Sequence, residues 1–433
     1  MHRRHFLIGL AAAVPAPAAG APRADATRLR ERLEALSAFG RPAGGSFADG
    51  VSRVAYSDAD VAGRGYIIGL MKAAGLAPRI DPAGNIFARR PGTDNSLAPV
   101  LFGSHIDSVP EGGNFDGDLG TLAAIETMQV LRDAGIATRR PLEIVCWSNE
   151  EGVAFNNGLT GSRAAAGELE PGEMDAVWNG VRKADAIRKI GGAPERIAEA
   201  RLPKGAFDSY LELHIEQGGT LDAAGIPIGV VDGIVAIHRY NVTIRGFANH
   251  AGTTPMPVRQ DALLAASHLT IAVNEIVRRE PGRQVGTVGQ LNVTPNAPNV
   301  VPGMVRLTVE LRDLDAEKIV KLAEQIRARA AEIAGQTRTQ IEFHQAARHA
   351  ASLASPDVQR TIEAACAKLG LAFRHLPSGA GHDAQPMATL APMGMIFVPS
   401  VNGISHSPKE LTRWEDCARG ADVLLQAVLM RAA

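Results

Sequence analysis

The chain has 433 residues, of which 45% are hydrophobic and 21% charged, and its formal net charge is −1. This length favours two domains, and the near-neutral charge gives no electrostatic reason to expect nucleic acid or a membrane surface as a partner. Aromatic residues make up only 4% of the chain, which also argues against a base-stacking surface. The 3 cysteines are widely spaced and form no CxxC pair, so we expect buried small side chains and not a disulfide framework.

The first residues carry a basic pair followed by a short apolar run. Arg3-Arg4 precede an Ala-rich stretch that ends near Gly20, a pattern typical of a twin-arginine export signal. The run is too short to span a bilayer, and residues 16–18 offer a small-residue cleavage site. We therefore expect residues 1–24 to be a signal peptide of a periplasmic protein. The alternative is a basic N-terminus that is not exported, in a cytoplasmic protein.

Beyond residue 24, helical and strand-like patterns alternate along the chain. Helices are predicted where apolar residues recur with helical spacing, and strands where short apolar runs end in polar residues. In chain order, we expect helices at 25–40 and 58–74, a strand at 100–104, a helix at 120–133, and strands at 142–148 and 211–215. This alternation indicates an α/β domain with a mainly parallel sheet and flanking helices.

The pattern changes near residue 236. Alternating strands are predicted there, with helices between them, which indicates an α+β unit with an antiparallel sheet. We expect strands at 240–244, 305–312 and 339–343, and helices at 261–278 and 315–333. The α/β pattern then returns, with a helix at 356–369, a strand at 393–398 and a helix at 414–431. We therefore predict a catalytic domain of residues 25–235 and 346–433, interrupted by an inserted α+β domain at 236–345.

Histidines and acidic residues follow four of the strand-like segments. They are His105 and Asp116 in GSHIDSVPEGGNFDGDLG (103–120), Glu150 and Glu151 in NEEG, His214 in LHIEQG, and His406 in ISHSP. In open α/β sheets, ligands bind beyond the carboxyl ends of the strands, and imidazoles with carboxylates suit divalent cations. Each segment alone could be a solvated turn or a helix start. Four of them together favour a metal site.

Two details of these segments support that interpretation. Glu150 and Glu151 are adjacent carboxylates with no basic neighbour, which is costly unless a cation or a proton compensates them. Asp107 lies two residues after His105, so we expect its carboxylate to accept the second ring N–H of that histidine. The chain lacks the HExxH, GxSxG and Walker patterns. Histidine and carboxylate ligands in this number suit two hydrolytic metal ions.

The sequence resembles the dinuclear-zinc amidohydrolases of the hydantoinase/carbamoylase type, in metallopeptidase clan MH. LHIEQG and NHAGTTPM are typical of this subfamily and not of the peptidases. The resemblance covers nearly the whole mature chain in the expected order, and its other stretches are residues 103–120, NEEG, GSRAAAG, PNAPNVVPG, ELRDLD, SGAGHDA and PSVNGISHSPKE. The sequence departs from the family at Val153-Ala154, where the family usually has Ser-Arg. This position is not a ligand, so the departure bears on the packing around the site and on substrate preference and not on the metal site.

The resemblance implies two divalent metal ions per subunit, Zn²⁺ first, with Mn²⁺, Co²⁺ or Ni²⁺ as alternatives. One ion would be held by His105, Asp116 and His214, and the other by Asp116, Glu151 and His406, so that Asp116 bridges. Glu150 would be the general base. The substrate would be held by Gln217, His250, Asn299 and Arg312, with His250 also stabilising the oxyanion.

The implied activity is hydrolysis of N-carbamoyl-L-amino acids to ammonia, CO₂ and the amino acid. Arg312 supplies a fork that fits a substrate carboxylate, although an ion pair with Asp313 or Asp315 is an alternative for it. Other activities in this class are allantoate amidohydrolase and β-ureidopropionase. A metallopeptidase, an aminoacylase and a periplasmic protein that only binds remain as further alternatives. The resemblance also implies a homodimer formed through the inserted domain, with His250 in its own site or in that of the partner.

Overall fold

The computed structural model describes residues 20–433. Its strands, in chain order, are β1 (Ala77–Ile80), β2 (Ile86–Arg90), β3 (Val100–His105), β4 (Leu142–Trp147), β5 (Val177–Trp178), β6 (Val181–Arg182), β7 (Ser209–Ile215), β8 (Ile228–Ile234), β9 (Ala236–Arg245), β10 (Asn249–His250), β11 (Val285–Thr294), β12 (Val300–Val301), β13 (Met304–Asp313), β14 (Gln340–His349), β15 (Ser352–Leu353), β16 (Phe373–Ser378) and β17 (Met393–Val398).

The α-helices in the same range, also in chain order, are α1 (Ala26–Leu36), α2 (Asp58–Ala73), α3 (Asp118–Asp133), α4 (Thr160–Ala166), α5 (Lys183–Lys189), α6 (Thr220–Ala224), α7 (Ala262–Arg279), α8 (Ala316–Thr337), α9 (Pro356–Leu369), α10 (Ala384–Met387) and α11 (Trp414–Arg431). In residues 20–433, no helix is long and apolar enough to cross a membrane.

A nine-stranded sheet forms the larger body of the molecule. Its strand order is β1-β2-β4-β3-β7-β17-β8-β15, and β16 pairs with β8. The four strands β4, β3, β7 and β17 are neighbours and run parallel. Every residue of these four strands is buried, because helices cover both faces of the sheet. Their carboxyl ends therefore meet at one edge, which is where polar side chains can converge.

Residues 236–349 contain a second, four-stranded sheet. Its order is β11-β13-β9-β14, and all its neighbouring strands are antiparallel. In β9 and β13, buried residues alternate with more exposed ones, since α7 and α8 cover only one face. The buried face forms a hydrophobic cluster separate from the core of the large sheet. The other face of this sheet is polar and accessible.

The predicted fold class, an α/β arrangement with a mainly parallel sheet and flanking helices, is confirmed. Most predicted elements are found within a few residues of their expected ends, for example α3 and β17. The strand expected at 339–343 is longer and extends to His349. Ten strands were not predicted, namely β1, β2, β5, β6, β8, β10, β11, β12, β15 and β16, and neither were the short helices α4, α5, α6 and α10. The predicted signal peptide lies outside the described residues except for 20–24.

Residues 22–24 are bound to the last helix. The Arg23 Nη1 atom lies 2.7 Å from Asp422 Oδ2, and the Ala24 N–H donates to Asp422 Oδ1 at 2.8 Å. The Gln426 side-chain amide donates to the carbonyl of Pro22 at 2.6 Å. Asp422 and Gln426 are buried on α11, so the first described residues satisfy polar groups of the core.

Arg53 is a buried arginine that ties three segments together behind the end of β3. Its Nε donates to the carbonyl of Ile106 at 2.6 Å, and its Nη1 donates to the carbonyls of Leu36 and Phe39 at 3.0 and 2.9 Å. Its Nη2 forms an ion pair with Asp118, at the start of α3. Both charged side chains are almost fully buried, so each depends on the other for charge compensation.

Replacing Arg53 with Leu is therefore expected to lower the free energy of unfolding by about 3–5 kcal/mol, because Asp118 loses its buried partner. Tryptophan fluorescence in a urea titration measures this change in the larger body, since Trp147, Trp178 and Trp414 all lie outside residues 236–349.

Two controls accompany that experiment. Arg196→Ala removes an exposed ion pair with Glu199 and is expected to leave the urea midpoint almost unchanged. Combining Arg53→Leu with Asp118→Asn is expected to recover part of the loss, because no unpaired charge remains buried. A wild-type urea midpoint for Arg53→Leu would contradict this account of the buried ion pair.

Candidate functional site

Polar side chains from four neighbouring parallel strands converge at one edge of the large sheet. His105 is the last residue of β3, and Glu150 and Glu151 follow β4. His214 lies near the end of β7, and His406 lies in the segment that follows β17. All five residues were predicted as site residues, and the parallel order of their strands places them beside one another.

Asp116 lies at the centre of this group and presents its two oxygens to different partners. Its Oδ1 is 3.1 Å from His214 Nε2 and 3.7 Å from His105 Nε2. Its Oδ2 is 3.5 Å from His406 Nε2, which is also 3.5 Å from Glu151 Oε2. Two clusters therefore share Asp116, and in each the possible ligand atoms lie within 4.8 Å of one another.

Several of these atoms are buried and make no hydrogen bond. They are His105 Nε2, His214 Nε2, Asp116 Oδ1 and Glu151 Oε1. A buried polar atom without a partner is costly, and a group of them that face each other needs a common partner. Imidazole nitrogens and carboxylate oxygens are ligands that divalent transition metals accept. The residues present therefore fit metal ions at both clusters.

The charges of the site lead to the same conclusion. Burial, and then neighbouring carboxylates that include Asp116, raise the pKa values of Glu150 and Glu151 well above their ordinary range. Burial also acts to raise the pKa of Asp116, but His214, His406 and His105 outweigh it and hold that pKa well below its usual value. The two glutamates thus lack the compensation that Asp116 has, and a cation would supply it.

Glycines allow the loop that carries Asp116 to fold tightly. Gly117 has φ +67°, and a Cβ atom there would lie 2.4 Å from the ring of His105. A Cβ atom at Gly113 would lie 2.1 Å from Glu410 Oε1, and that oxygen accepts the N–H of Asp116 at 3.1 Å. The glycine-rich sequence is therefore explained by close approach of the loop to its neighbours.

The structure corrects the predicted contact of the Asp107 carboxylate. That carboxylate accepts the backbone N–H groups of Glu150 at 3.1 Å and of Glu151 at 3.2 Å. The Nδ1 atom of His105 lies 3.0 Å from the backbone oxygen of Asp107 and 3.7 Å from its carboxylate. The strand ends at His105, so the two side chains no longer point the same way. Asp107 positions the segment that carries the two glutamates.

The predicted substrate residues are divided between separate places. Gln217 lines a cavity of about 220 Å³ with four of the five predicted metal ligands, and its side-chain amide donates to Asp116 Oδ2 at 2.7 Å. His250 and Asn299 are exposed at the two-stranded ribbon of β10 and β12 and do not line this cavity. Arg312 lines a larger, second cavity. The structure thus brings one of the four residues to the cluster.

The contacts of His250 define its tautomer. Its Nδ1 accepts the backbone N–H groups of Gly252 at 3.0 Å and of Thr253 at 3.2 Å. An imidazole nitrogen that accepts carries no proton, so the neutral ring has its proton on Nε2. The outward-facing side of His250 is therefore a hydrogen-bond donor.

Arg312 has a different partner from the aspartates considered above. Its Nε and Nη2 donate to Glu310 Oε1 at 2.8 and 2.6 Å. Its Nη1 donates to the carbonyl of Gly379, in the segment after β16, at 2.6 Å. Arg312 therefore links the four-stranded sheet to a loop of the larger body.

His382 is a further site residue that sequence reasoning did not assign. It lines the 220 Å³ cavity, its Nε2 is 2.8 Å from Ser378 Oγ, and its buried Nδ1 makes no hydrogen bond. Burial, and then the nearby His214, lower its pKa well below the usual value, which favours a neutral ring. The sequence feature that could have identified His382 is the histidine in SGAGHDA. It was not assigned because the strand before it, β16, was not predicted.

Comparisons with known proteins agree with this geometry. The chain is 41% identical over 402 residues to the N-carbamoyl-L-amino acid amidohydrolase of Geobacillus stearothermophilus, which covers 93% of this chain and 97% of the relative. It is 36% identical over 400 residues to the allantoate amidohydrolase of Escherichia coli K12, which covers 92% and 95%. A solved hydantoinase/carbamoylase family amidase from Burkholderia multivorans superposes with a TM-score of 0.86 at 37% identity, over 95% of this chain and 98% of the other.

A family model extends the match to the segments that carry the site. It is described as peptidase family M20/M25/M40 and aligns with residues 101–430, from β3 to the end of α11. The resemblance inferred from the sequence is confirmed by these findings. The chain belongs to the M20/M25/M40 family, among relatives that are amidohydrolases of the hydantoinase/carbamoylase type.

Proposed function

We propose that the protein is a metal-dependent hydrolase that cleaves the carbon–nitrogen bond of N-carbamoyl-L-amino acids, with release of ammonia, CO₂ and the amino acid. The main support is Asp116, whose two oxygens face two separate groups of possible ligand atoms, several of which are buried and make no hydrogen bond. The named activities of the relatives point in the same direction. Allantoate and N-carbamoyl-β-alanine, which also combine a carboxylate with a ureido group, are the alternative substrates.

Two divalent ions would occupy the two clusters, with Zn²⁺ as the first choice and Mn²⁺, Co²⁺ or Ni²⁺ also suited to the ligands. His105, Asp116 and His214 would hold one ion, and Asp116, Glu151 and His406 the other. Ions bound in this way polarise a substrate carbonyl and lower the pKa of water.

Glu150 is the proposed general base. It lines the cavity beside both clusters, and its Oε2 lies 3.8 Å from His105 Nε2. It belongs to neither cluster of possible ligands, so its carboxylate is free to accept a proton from water. The same group can then deliver that proton to the nitrogen that leaves. Asp107 holds the backbone of Glu150 in place for this role.

Substrate recognition is assigned to residues of both bodies. Arg312 would bind the carboxylate, and the amide groups of Gln217 and Asn299 would donate to and accept from the ureido group. The Nε2–H of His250 would donate to the oxygen that gains charge in the transition state. Because three of these residues lie outside the 220 Å³ cavity, residues 236–345 would act as a lid that closes over the substrate.

We also propose a homodimer formed through residues 236–345, with His250 completing the site of the partner subunit. His250 and Asn299 are exposed and lie outside the cavity of their own chain. The large side chains of Phe247 and Met256, on either side of His250, are exposed as well. Exposed apolar groups close to polar recognition residues are typical of an interface between subunits.

The proposed localisation is the periplasm, after export by a twin-arginine signal at residues 1–24. The support is the sequence of Arg3-Arg4 and the short apolar run that follows. Cleavage near residue 18, inside the segment 1–24 and before its end, would leave residues 22–24 in place, where they contact α11. Without such a signal the protein would stay in the cytoplasm.

The activity is tested with protein reconstituted with Zn²⁺ or Mn²⁺. Ammonia release is expected from N-carbamoyl-L-amino acids, and it is expected to disappear on chelation and to return when metal is added back. Glu150→Gln is expected to lower kcat by about 10²–10⁴-fold with unchanged metal content, because proton transfer is lost. Glu111→Gln, at an exposed residue of the loop that carries Asp116, is the matched control and is expected to keep the rate.

The same panel includes allantoate, N-carbamoyl-β-alanine, acyl-amino acids and dipeptides. Turnover of a dipeptide or an acyl-amino acid without any ureido compound would place the protein with the peptidases or aminoacylases and contradict the proposal. Binding of ureido acids without turnover, unchanged by Glu150→Gln, would indicate a binding protein.

The shared site is tested by mixing two inactive variants, His250→Ala and Glu150→Gln, under conditions that exchange subunits. If His250 serves the partner, half of the dimers are hybrids and each hybrid has one unaltered site, so about a quarter of the wild-type activity is expected. If each site uses its own His250, every site keeps a defect and no activity returns. Size-exclusion chromatography with light scattering checks that dimers are present.

Export is tested by replacing Arg3-Arg4 with Lys-Lys in the full chain. Loss of the protein from the periplasmic fraction, with accumulation of the uncleaved form inside the cell, is expected, because the twin-arginine pathway reads this pair. Unchanged export of the Lys-Lys chain would refute the twin-arginine assignment.

A further inference from the structure

A second cavity, of about 770 Å³, lies on the polar face of the four-stranded sheet. Its lining includes Arg239, Glu310 and Arg312, and the neutral polar side chains of Asn241, Thr287 and Gln290. Val285 is the one apolar side chain larger than alanine among the described residues that line it. The chemistry of this cavity is therefore that of hydrogen bonding and not of apolar contact.

This cavity adjoins the site that holds the metal-ligand residues. Gly379 lines the larger cavity, while the next residues, Ala380, Gly381 and His382, line the 220 Å³ cavity. Arg312 is fixed at the boundary, because its Nη1 donates to the carbonyl of Gly379 at 2.6 Å. Arg312 therefore stands at the boundary of the two cavities, beside the segment 379–382 that contributes to the lining of both.

The charged side chains around Arg312 carry one more positive charge than negative charge, which favours the binding of one anion. Arg239 and Glu310 lie opposite each other in the register of β9 and β13. Glu310 Oε2 accepts from Arg239 Nε and Nη2 at 2.8 and 2.5 Å, while its Oε1 accepts from Arg312. One carboxylate thus serves two guanidinium groups, which leaves a net charge of +1. A substrate carboxylate on Arg312 would bring that charge to zero.

The neutral polar side chains of the cavity are available to a ligand. Asn241, Thr287 and Gln290 are exposed to solvent, and their side chains make no hydrogen bond to other described residues. An apolar group placed against them would remove water from these amides and hydroxyls without replacing its hydrogen bonds. A neutral polar group would replace them.

We infer that this cavity receives the substituent on the α-carbon of the substrate and selects neutral polar substituents, such as an amide or a second ureido group. The inference rests on the proposed function. In an N-carbamoyl amino acid the carboxylate and the side chain share one carbon, so a carboxylate on Arg312 places the side chain in this cavity. An acidic side chain is disfavoured because the substrate would then carry two negative charges against the net charge of +1 in the cavity. An apolar side chain is disfavoured because it leaves the polar side chains of the lining without hydrogen bonds.

The test uses three substrates of nearly equal size, N-carbamoyl-L-asparagine, N-carbamoyl-L-aspartate and N-carbamoyl-L-leucine, with the metal-reconstituted full chain. The value of kcat/KM for the asparagine compound is expected to exceed that for the leucine compound by about tenfold or more, and also to exceed that for the aspartate compound. Preference for leucine or aspartate would overturn the inference while leaving the proposed function intact. No turnover of any ureido acid would instead refute the proposed function.

Substitutions in the cavity test whether its polar side chains cause the preference for the asparagine compound. Asn241→Leu and Gln290→Leu are each expected to lower the asparagine-to-leucine ratio of kcat/KM by about fivefold, the effect of one net hydrogen bond. Asn292→Leu is the matched control, since it lies two residues from Gln290 on β11 and does not line the cavity, and its ratio is expected to stay unchanged. Because each ratio is measured within one variant, a change in folding yield does not affect it. An unchanged ratio in both cavity variants would overturn the inference.

Discussion

The molecule depends on the compensation of negative charge that is buried at one edge of its large sheet. Asp116, Glu150 and Glu151 share the 220 Å³ cavity, and among the described residues lining it there is no lysine or arginine. Behind them, Asp118 is neutralised by Arg53, which also fixes the backbone on either side. Within residues 20–433, the only groups near Asp116, Glu150 and Glu151 in this cavity that can carry positive charge are imidazoles. Ligands held in this way couple cation binding to the stability of the fold.

The possible metal ligands belong to the larger body of the molecule, and most of the residues proposed to bind the substrate belong to the four-stranded sheet and its connections. Two of the possible ligands, His105 and His214, stand on buried parallel strands, where packing on both faces fixes their positions, and the other three lie in segments that follow such strands. Arg239, Asn241 and Arg312 stand on a sheet with one accessible face, and their side chains contribute little to its core. Substitutions on that face can therefore alter the preferred substrate without disturbing the cluster. The carbonyl of Gly379 is the direct contact between Arg312 and the larger body.

Features encoded by neighbouring residues could be predicted from the sequence, and those that depend on distant pairing could not. The meeting of His105 and His214 at one edge of the sheet follows from local strand patterns and from the rule that parallel strands end at one edge. The orientation of Asp107 depends on where β3 stops, and the pairing of Arg239 with Glu310 depends on the register of β9 and β13. His382 was missed because β16 pairs with β8, and neither strand was predicted.

The contacts of residues 22–24 set a limit on how far the N-terminus can be trimmed. Asp422 and Gln426 are buried on α11, and their partners in this structure are Arg23, the Ala24 N–H and the Pro22 carbonyl. A peptidase that removed these three residues would leave a carboxylate and an amide unsatisfied inside the protein. The loss of these contacts would loosen α11, which covers the parallel strands. The position at which the N-terminus is cut therefore affects the stability of the core.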